Sequence, residues 1–167
     1  MGMGAEIPFD TLIEYLDEEC ERWQQWFARQ SPKVLEVTLG VDDLATVRDL
    51  LMHISLVELR YAERLLGEPV TPYDRFQTAS LEALFDVGKD ARMKITAFLA
   101  GATERDLNEA LTFETKRAGA QSASRRKIVA HALLHSVRHW AQIATALRQH
   151  GYPQDWGHDF LFTEAMR

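Results

Sequence analysis

Apolar residues recur at intervals of three and four in four separate stretches of this sequence, which is the spacing of one face of an α-helix. Three of the stretches cover about residues 9–27, 47–65 and 80–99. The fourth begins at Ser122 or Ser124 and ends at His150. An amphipathic helix must bury its apolar face against another element, and no part of the chain shows the alternation of a convincing sheet. The sequence therefore predicts an all-α protein, a four-helix bundle.

Capping and terminating residues stand at the ends of these stretches. Thr46 and Asp49 have the spacing of a capping box at the start of the second helix. Gly67 follows the second stretch and Gly151 follows the fourth, where glycine commonly ends a helix. Gly88 lies inside the third stretch and weakens that helix by about 1 kcal/mol relative to alanine. The helix ends are thus predicted independently of the apolar pattern.

The connections between the helices differ in length and composition. Residues 30–45 form a loop long enough for a crossover, so simple up-down-up-down topology is not required. Residues 111–115 alternate weakly before Gly119, as in a short extended loop or hairpin. The aromatic-rich residues 152–162 are predicted to fold back as a C-terminal cap. The length suits a single domain, residues 1–167.

Composition excludes several classes of protein. The 25 acidic and 19 basic residues leave a net charge of −6, which argues against a dedicated nucleic-acid binder. No apolar run approaches the roughly 18 residues of a membrane span, and the N-terminal residues lack the basic and apolar regions of a secretion signal. The single cysteine, Cys20, excludes a multi-cysteine zinc module. We therefore expect a cytoplasmic protein that binds neither nucleic acid nor membranes.

Histidines are concentrated in the fourth stretch. His131, His135 and His139 follow one another at intervals of four, so their side chains lie along one side of the helix. Two imidazoles one turn apart can chelate one metal ion. A helical wheel places His139 nearest the apolar arc and His131 farthest from it. His135 and His139 are therefore the candidate pair, although histidines also cap and pack without a metal.

A third ligand has to come from another helix, because two imidazoles alone hold a divalent ion weakly. His53 is the candidate, since it lies at the border of the apolar stripe of the second helix. A border position would keep an ion accessible to substrate. The alternative is that His53 is a boundary histidine that is hydrogen-bonded to a carbonyl group.

Two segments together resemble the DinB/YfiT-like family of metal-binding four-helix bundles. One is residues 51–67, around the histidine of the second helix. The other is residues 131–151, which read H-x3-H-x3-H-x2-Q and close with Leu-Arg-x-x-Gly, followed by Pro and Asp. The resemblance covers nearly the whole chain. It implies that His53, His135 and His139 bind one divalent transition metal ion (Ni, Zn, Fe or Mn), with water in the remaining positions.

The resemblance also implies a metal-dependent enzyme that acts on a small molecule, by hydrolysis or by transfer of a low-molecular-weight thiol. Three neutral histidines would leave the charge of the ion uncompensated, which suits both reactions. The alternative is a non-enzymatic bundle that the ion staples together and that acts as a dimerisation or stress-response module. Structural sites usually have four protein ligands, and His131, His158 or Glu58 would be the fourth. We also expect a homodimer.

One departure from the family pattern affects the site. The family usually has Arg-Gly between the last histidine and the glutamine, whereas this chain has Trp140 and Ala141. No general base is evident from the sequence. Gln142 either orients an imidazole or is exposed. Glu58 either supports the site or, as we favour, pairs with an arginine.

Two further groups of residues have a functional and a structural interpretation. Tryptophans on the predicted helices would line a substrate mouth or, more commonly, pack in the core or a dimer interface: Trp23, Trp26 and Trp140. Five cations around the start of the fourth helix would form an anion-binding patch or, more commonly, a solvated surface: Lys116, Arg117, Arg125, Arg126 and Lys127.

Overall fold

The computed structural model describes residues 7–41, 44–77, 79–115 and 118–166. Its helices are α1 (Phe9–Ala28), α2 (Val47–Leu66), α3 (Leu81–Gly101), α4 (Glu104–Asn108) and α5 (Arg125–Gln149). The four long helices correspond to the four apolar stretches, and the short α4 was not predicted. Within the described residues, none of the helices combines the length and apolarity that crossing a membrane would need.

Side-chain caps fix where the helices begin. The predicted capping box is present at α2, where Asp49 N–H donates to Thr46 Oγ1 at 3.2 Å and Thr46 N–H donates to Asp49 Oδ2 at 3.0 Å. Ser80 and Ser124 accept backbone N–H groups at the starts of α3 and α5. At the end of α2, Gly67 takes the left-handed conformation with φ 69°, which costs glycine little.

Helices that follow each other in sequence are not all neighbours in the bundle. α2 packs against α3 and α5, and α1 packs mainly against the same two helices. α1 and α2 therefore lie across the bundle from each other, so the chain passes from one to the other by a crossover. The predicted crossover loop is confirmed. Its consequence for function is that α2 and α5 become neighbours although about 80 residues separate their histidines.

Two short hairpins accompany the helices. β1 (Thr38–Val41) pairs with β2 (Leu44–Thr46), and β3 (Ala110–Thr115) pairs with β4 (Gly119–Ser124), both antiparallel. The second hairpin confirms the interpretation of the weak alternation. The first was missed, because strands of four and three residues leave almost no periodic signal. Each sheet has only two strands, so the all-α class stands.

A stack of aromatic rings fills the centre of the bundle. Trp23 is 0% exposed and is stacked between Trp140 and His158, each with its ring centre 5.2 Å away. Phe85 is stacked on Trp140 at 6.0 Å. Trp26 is also buried. The core-packing interpretation is therefore correct for the three tryptophans.

A buried ion-pair network joins three helices. Arg92 on α3 donates to Glu58 on α2 at 2.8 Å and to Asp17 on α1 at 2.6 Å. The favoured interpretation of Glu58 as the partner of an arginine is confirmed, and burial raises the pKa of this carboxyl group although the guanidinium opposes the rise. A Cβ atom at Gly88 would lie 3.3 Å from Nη1 of Arg92. The glycine that weakens α3 thus leaves room for the network.

The C-terminal segment folds back onto α1, as predicted. Its attachment is the Glu19 cluster, in which the buried Glu19 carboxylate accepts three N–H groups: Trp23 Nε1 at 2.8 Å, Trp156 Nε1 at 3.1 Å and His158 Nδ1 at 2.5 Å. The Tyr15 hydroxyl also donates to the carbonyl oxygen of His158 at 2.8 Å. Because both carboxylate oxygens accept hydrogen bonds, the buried charge is well satisfied.

Candidate metal centre

The three histidines named from the sequence lie together between α2 and α5. Nε2 of His135 is 3.2 Å from Nε2 of His53 and 3.0 Å from Nε2 of His139. One nitrogen from each ring lies within 4.8 Å of the others, a grouping that could hold a metal ion. We call these residues the three-histidine cluster.

Helix geometry and packing explain how the cluster forms. His135 and His139 stand one turn apart on α5 and therefore share a face. The packing of α2 on α5 brings His53 to that face from a position at the edge of its own helix. His139 is 5% exposed, whereas His53 and His135 are half-buried. The cluster thus lies at the border of the core, as the wheel predicted.

All three imidazoles are held in the neutral form at pH 7. Burial, with a contribution from His139, lowers the pKa of His53 to about 4. Burial and the neighbouring histidines lower the pKa of His135 to about 3, and burial lowers that of His139. A neutral imidazole has a lone pair available for a metal ion. The cluster is therefore in the protonation state that metal binding requires.

Gln142 orients one of the rings. Nδ1–H of His139 donates to Oε1 of Gln142 at 2.5 Å. This bond places the lone pair of His139 on Nε2, the nitrogen that points to the rest of the cluster. The alternative that Gln142 is simply exposed is wrong. A hydrogen bond on the far side of the ring is a common feature of metal-binding histidines.

His135 provides a test of whether a metal ion suits the site. Its Nδ1 is buried and, among the described residues, has no hydrogen-bond partner. Its Nε2 faces two other neutral imidazole nitrogens. Three nitrogen lone pairs that face one another at the edge of a core lower the stability of the fold unless a cation is bound between them. The donor set is nitrogen only, which suits Zn, Ni, Fe and other transition metals.

None of the three possible fourth ligands joins the group in the described part of the chain. The ring of His131 is exposed and packs edge-on against Tyr61 at 5.2 Å. His158 is engaged with Glu19, and Glu58 is engaged with Arg92. The wheel's assignment of His131 to the outside is confirmed.

Arg138 was missed by the sequence analysis. Its positive charge contributes to the lowered pKa of both His135 and His139. The signal was available, because Arg138 immediately precedes His139 and follows His135 by three residues. Arg138 thus places a positive charge beside the three-histidine cluster in a chain whose net charge is −6.

The basic run at the start of α5 is partly neutralised. Arg125 pairs with Glu109 and Arg126 pairs with Glu104, both at 2.7 Å. Lys116 and Arg117 lie outside the described residues. The ion pairs favour a solvated surface over an anion-binding patch.

Comparisons with known proteins agree with this architecture. Residues 3–166 match the DinB family. The chain belongs to the DinB family. No protein of curated function matches it.

Two solved structures share the fold. YfiT from Bacillus subtilis, described as a probable metal-dependent hydrolase with an unusual four-helix bundle topology, is 19% identical with a TM-score of 0.67, and the match covers 91% of this chain and 94% of YfiT. A DinB-like protein of B. subtilis, YjoA, is 16% identical with a TM-score of 0.57, and the match covers 87% of this chain and 99% of YjoA. At these identities the likeness shows the fold.

Proposed function

We propose that the three-histidine cluster binds one divalent transition metal ion and that the protein is a metal-dependent hydrolase. The observation that carries the proposal is the convergence of three neutral imidazole nitrogens, which no carboxylate of the described residues joins. Three-histidine sites of this kind occur in catalytic rather than structural metal centres. The description of YfiT as a probable metal-dependent hydrolase supports the same class.

An ion bound there would act as a Lewis acid and would lower the pKa of a coordinating water molecule or thiol towards neutrality. The residues of the chain prepare the site for this chemistry. Burial keeps His53 and His135 neutral, and Gln142 holds His139 in the required tautomer. Arg138 adds positive charge beside the cluster, which favours substrates that carry negative charge.

Thiol transfer is the second candidate reaction. The carboxylate of Glu58, the acidic group that the sequence placed nearest the site, is engaged with Arg92. The described residues therefore place only imidazoles in the candidate ligand group. A thiol is acidic enough to lose its proton on binding a metal ion without a separate base. A ligand group in which the described residues place only imidazoles therefore favours a thiol as the nucleophile if no hydrolysis is found.

The first experiment is to measure metal content after purification from metal-replete medium. We expect about one transition metal ion per chain, and we expect His139→Ala to remove it. His131→Ala is the matched control, because His131 is on the same face of α5 but outside the group. Substoichiometric metal that is unchanged in His139→Ala would contradict the proposal.

The second experiment separates the reactions. We expect the metal-loaded protein to hydrolyse members of an ester and amide library, and His139→Ala to be inactive. Cobalt-substituted protein is titrated with a panel of cellular thiols, where a sulfur-to-metal charge-transfer band would indicate thiol transfer. Failure of both assays would favour the non-enzymatic alternative. The homodimer stays a prediction, which light scattering would test.

A further inference from the structure

A cleft on the opposite side of α5 from the three-histidine cluster has the features of a second binding site. It lies between α1, α5 and the C-terminal segment and has a volume of about 370 Å³. None of the three clustered histidines lines it. Its volume is within the range of small-molecule sites, at the lower end of about 300–1,000 Å³. We call it the α1–α5 cleft.

Apolar and aromatic side chains form most of its walls. They include Leu12 on α1, Val137 and Ala141 on α5, and Phe160 on the C-terminal segment. The rings of Phe160 and Tyr15 meet edge to face with their centres 5.4 Å apart. Such rings attract cations through their electron-rich faces.

Two acidic side chains and one histidine, His158, line the cleft. Glu19 and Asp159 line it, and among the described residues no lysine or arginine does. Glu19 accepts the indole N–H groups of Trp23 and Trp156 and the Nδ1–H of His158, which also lines the cleft. Burial and then the charges of Glu19 and Asp159 raise the pKa of Tyr15 to about 12. Tyr15 also lines the cleft, and its hydroxyl donates to the carbonyl oxygen of His158.

We propose that the α1–α5 cleft binds a small organic cation, an ammonium group attached to an apolar or aromatic body. The carboxylates at the cleft attract the ammonium group, and the rings of Tyr15 and Phe160 together with the aliphatic wall bury the body. An anion is disfavoured because it would face two carboxylates, and no lysine or arginine of the described residues lines the cleft. A neutral ligand would gain only the apolar contacts.

The test compares three probes of nearly equal size: 2-phenylethylammonium, 2-phenylethanol and phenylacetate. Binding to the full-length protein is measured by calorimetry and by NMR shifts of the backbone amides of Val137 and Ala141. We expect the ammonium compound to shift both amides and to bind at least about tenfold more tightly than the alcohol, and we expect phenylacetate not to bind.

Three variants locate the binding. Ala141→Trp fills the cleft from an exposed position and should abolish binding without changing the melting temperature. Asp159→Asn should weaken ammonium binding about threefold to tenfold. Asp155→Asn is the matched control, since Asp155 is on the same segment, pairs with Arg29 at 3.9 Å and does not line the cleft. His139→Ala should bind the probe normally.

Three results would overturn the proposal. The first is that no probe binds. The second is that the alcohol or phenylacetate binds as tightly as the ammonium compound, which would remove the charge argument. The third is that binding survives Ala141→Trp, which would place the ligand elsewhere.

Discussion

In the Glu19 cluster an imidazole donates Nδ1–H to a buried carboxylate, whereas in the three-histidine cluster the ring nitrogens converge on one another. Both clusters join segments that are far apart in sequence. In the first, two indoles and His158 satisfy both oxygens of Glu19. In the second, no carboxylate of the described residues joins the group, and Nε2 of His135 faces Nε2 of His53 and of His139.

The two clusters differ in the group that faces each imidazole, which is a carboxylate in the Glu19 cluster and other imidazoles in the three-histidine cluster. A carboxylate that accepts the N–H of an imidazole gives that donor a hydrogen-bond partner, which stabilises the attachment of the C-terminal segment. Neutral imidazoles without a carboxylate have lone pairs to share, and a cation is the partner that can take several at once. Substitutions in the two clusters should therefore have different effects, on metal affinity in one and on stability in the other.

Loss of one imidazole from the three-histidine cluster should have the largest effect. His135→Ala removes one of the three proposed ligands and should lower metal affinity by about 1,000-fold, or about 4 kcal/mol. Competition with a chelating dye measures the affinity. His158→Ala is the control from the other cluster and should keep its metal. Equal loss of metal in both variants would erase the distinction between the clusters.

Removal of the central carboxylate of the other cluster should instead lower stability. Glu19→Ala leaves three N–H groups without their acceptor and should lower the free energy of unfolding by about 3 kcal/mol. Urea denaturation measures the change. Glu14→Ala, at an exposed position on the same helix, should change stability by less than about 0.5 kcal/mol. A Glu19→Ala protein as stable as Glu14→Ala would show that the Glu19 cluster is dispensable.

Removing the metal should leave the fold intact. Four amphipathic helices supply a core of their own, so helical circular dichroism should persist in chelator. An ion present at about 100 times its Kd adds about 2.7 kcal/mol, so the melting temperature should fall by roughly 5–10 °C on chelation. Complete loss of helical signal would make the metal structural, as in the non-enzymatic alternative.

The hydrogen bond behind His139 should have a smaller effect than the ligands themselves. Gln142→Ala should weaken metal binding by about 10-fold to 100-fold, the usual cost of losing such a partner. Gln142→Glu keeps an acceptor for Nδ1–H and should restore most of the affinity. The same metal competition assay measures both variants. If Gln142→Ala bound metal as the parent does, the hydrogen bond would have no role in orienting the ring.

The smallest effect is expected at the remaining histidine of the α5 face. His131 contacts Tyr61 and lies outside the ligand group, so His131→Ala should change metal affinity by no more than about threefold. If His131→Ala lost metal as completely as His135→Ala, the ligand set would be displaced by one turn of α5.

The sequence by itself determined the helices and the identity of the clustered histidines. The periodic stripes, the capping box at Thr46 and the glycine at 67 act over a few residues, so they can be recognised without the fold. The spacing of His135 and His139 is likewise local, because one turn of helix brings them to one face. The selection of His53 needed the additional assumption that α2 and α5 are neighbours.

Only the tertiary structure decided how the remaining polar residues are used. Nothing local indicates that Glu58 pairs with Arg92, that His158 joins Glu19, or that Gly88 leaves space for an ion pair, because each partner comes from another helix or from the C-terminal segment. The periodicity of apolar residues indicates which face of a helix is buried. It carries no information about the side chains of the other elements that pack against that face. The role of a buried polar residue depends on those side chains, since low-dielectric surroundings make the partner decisive.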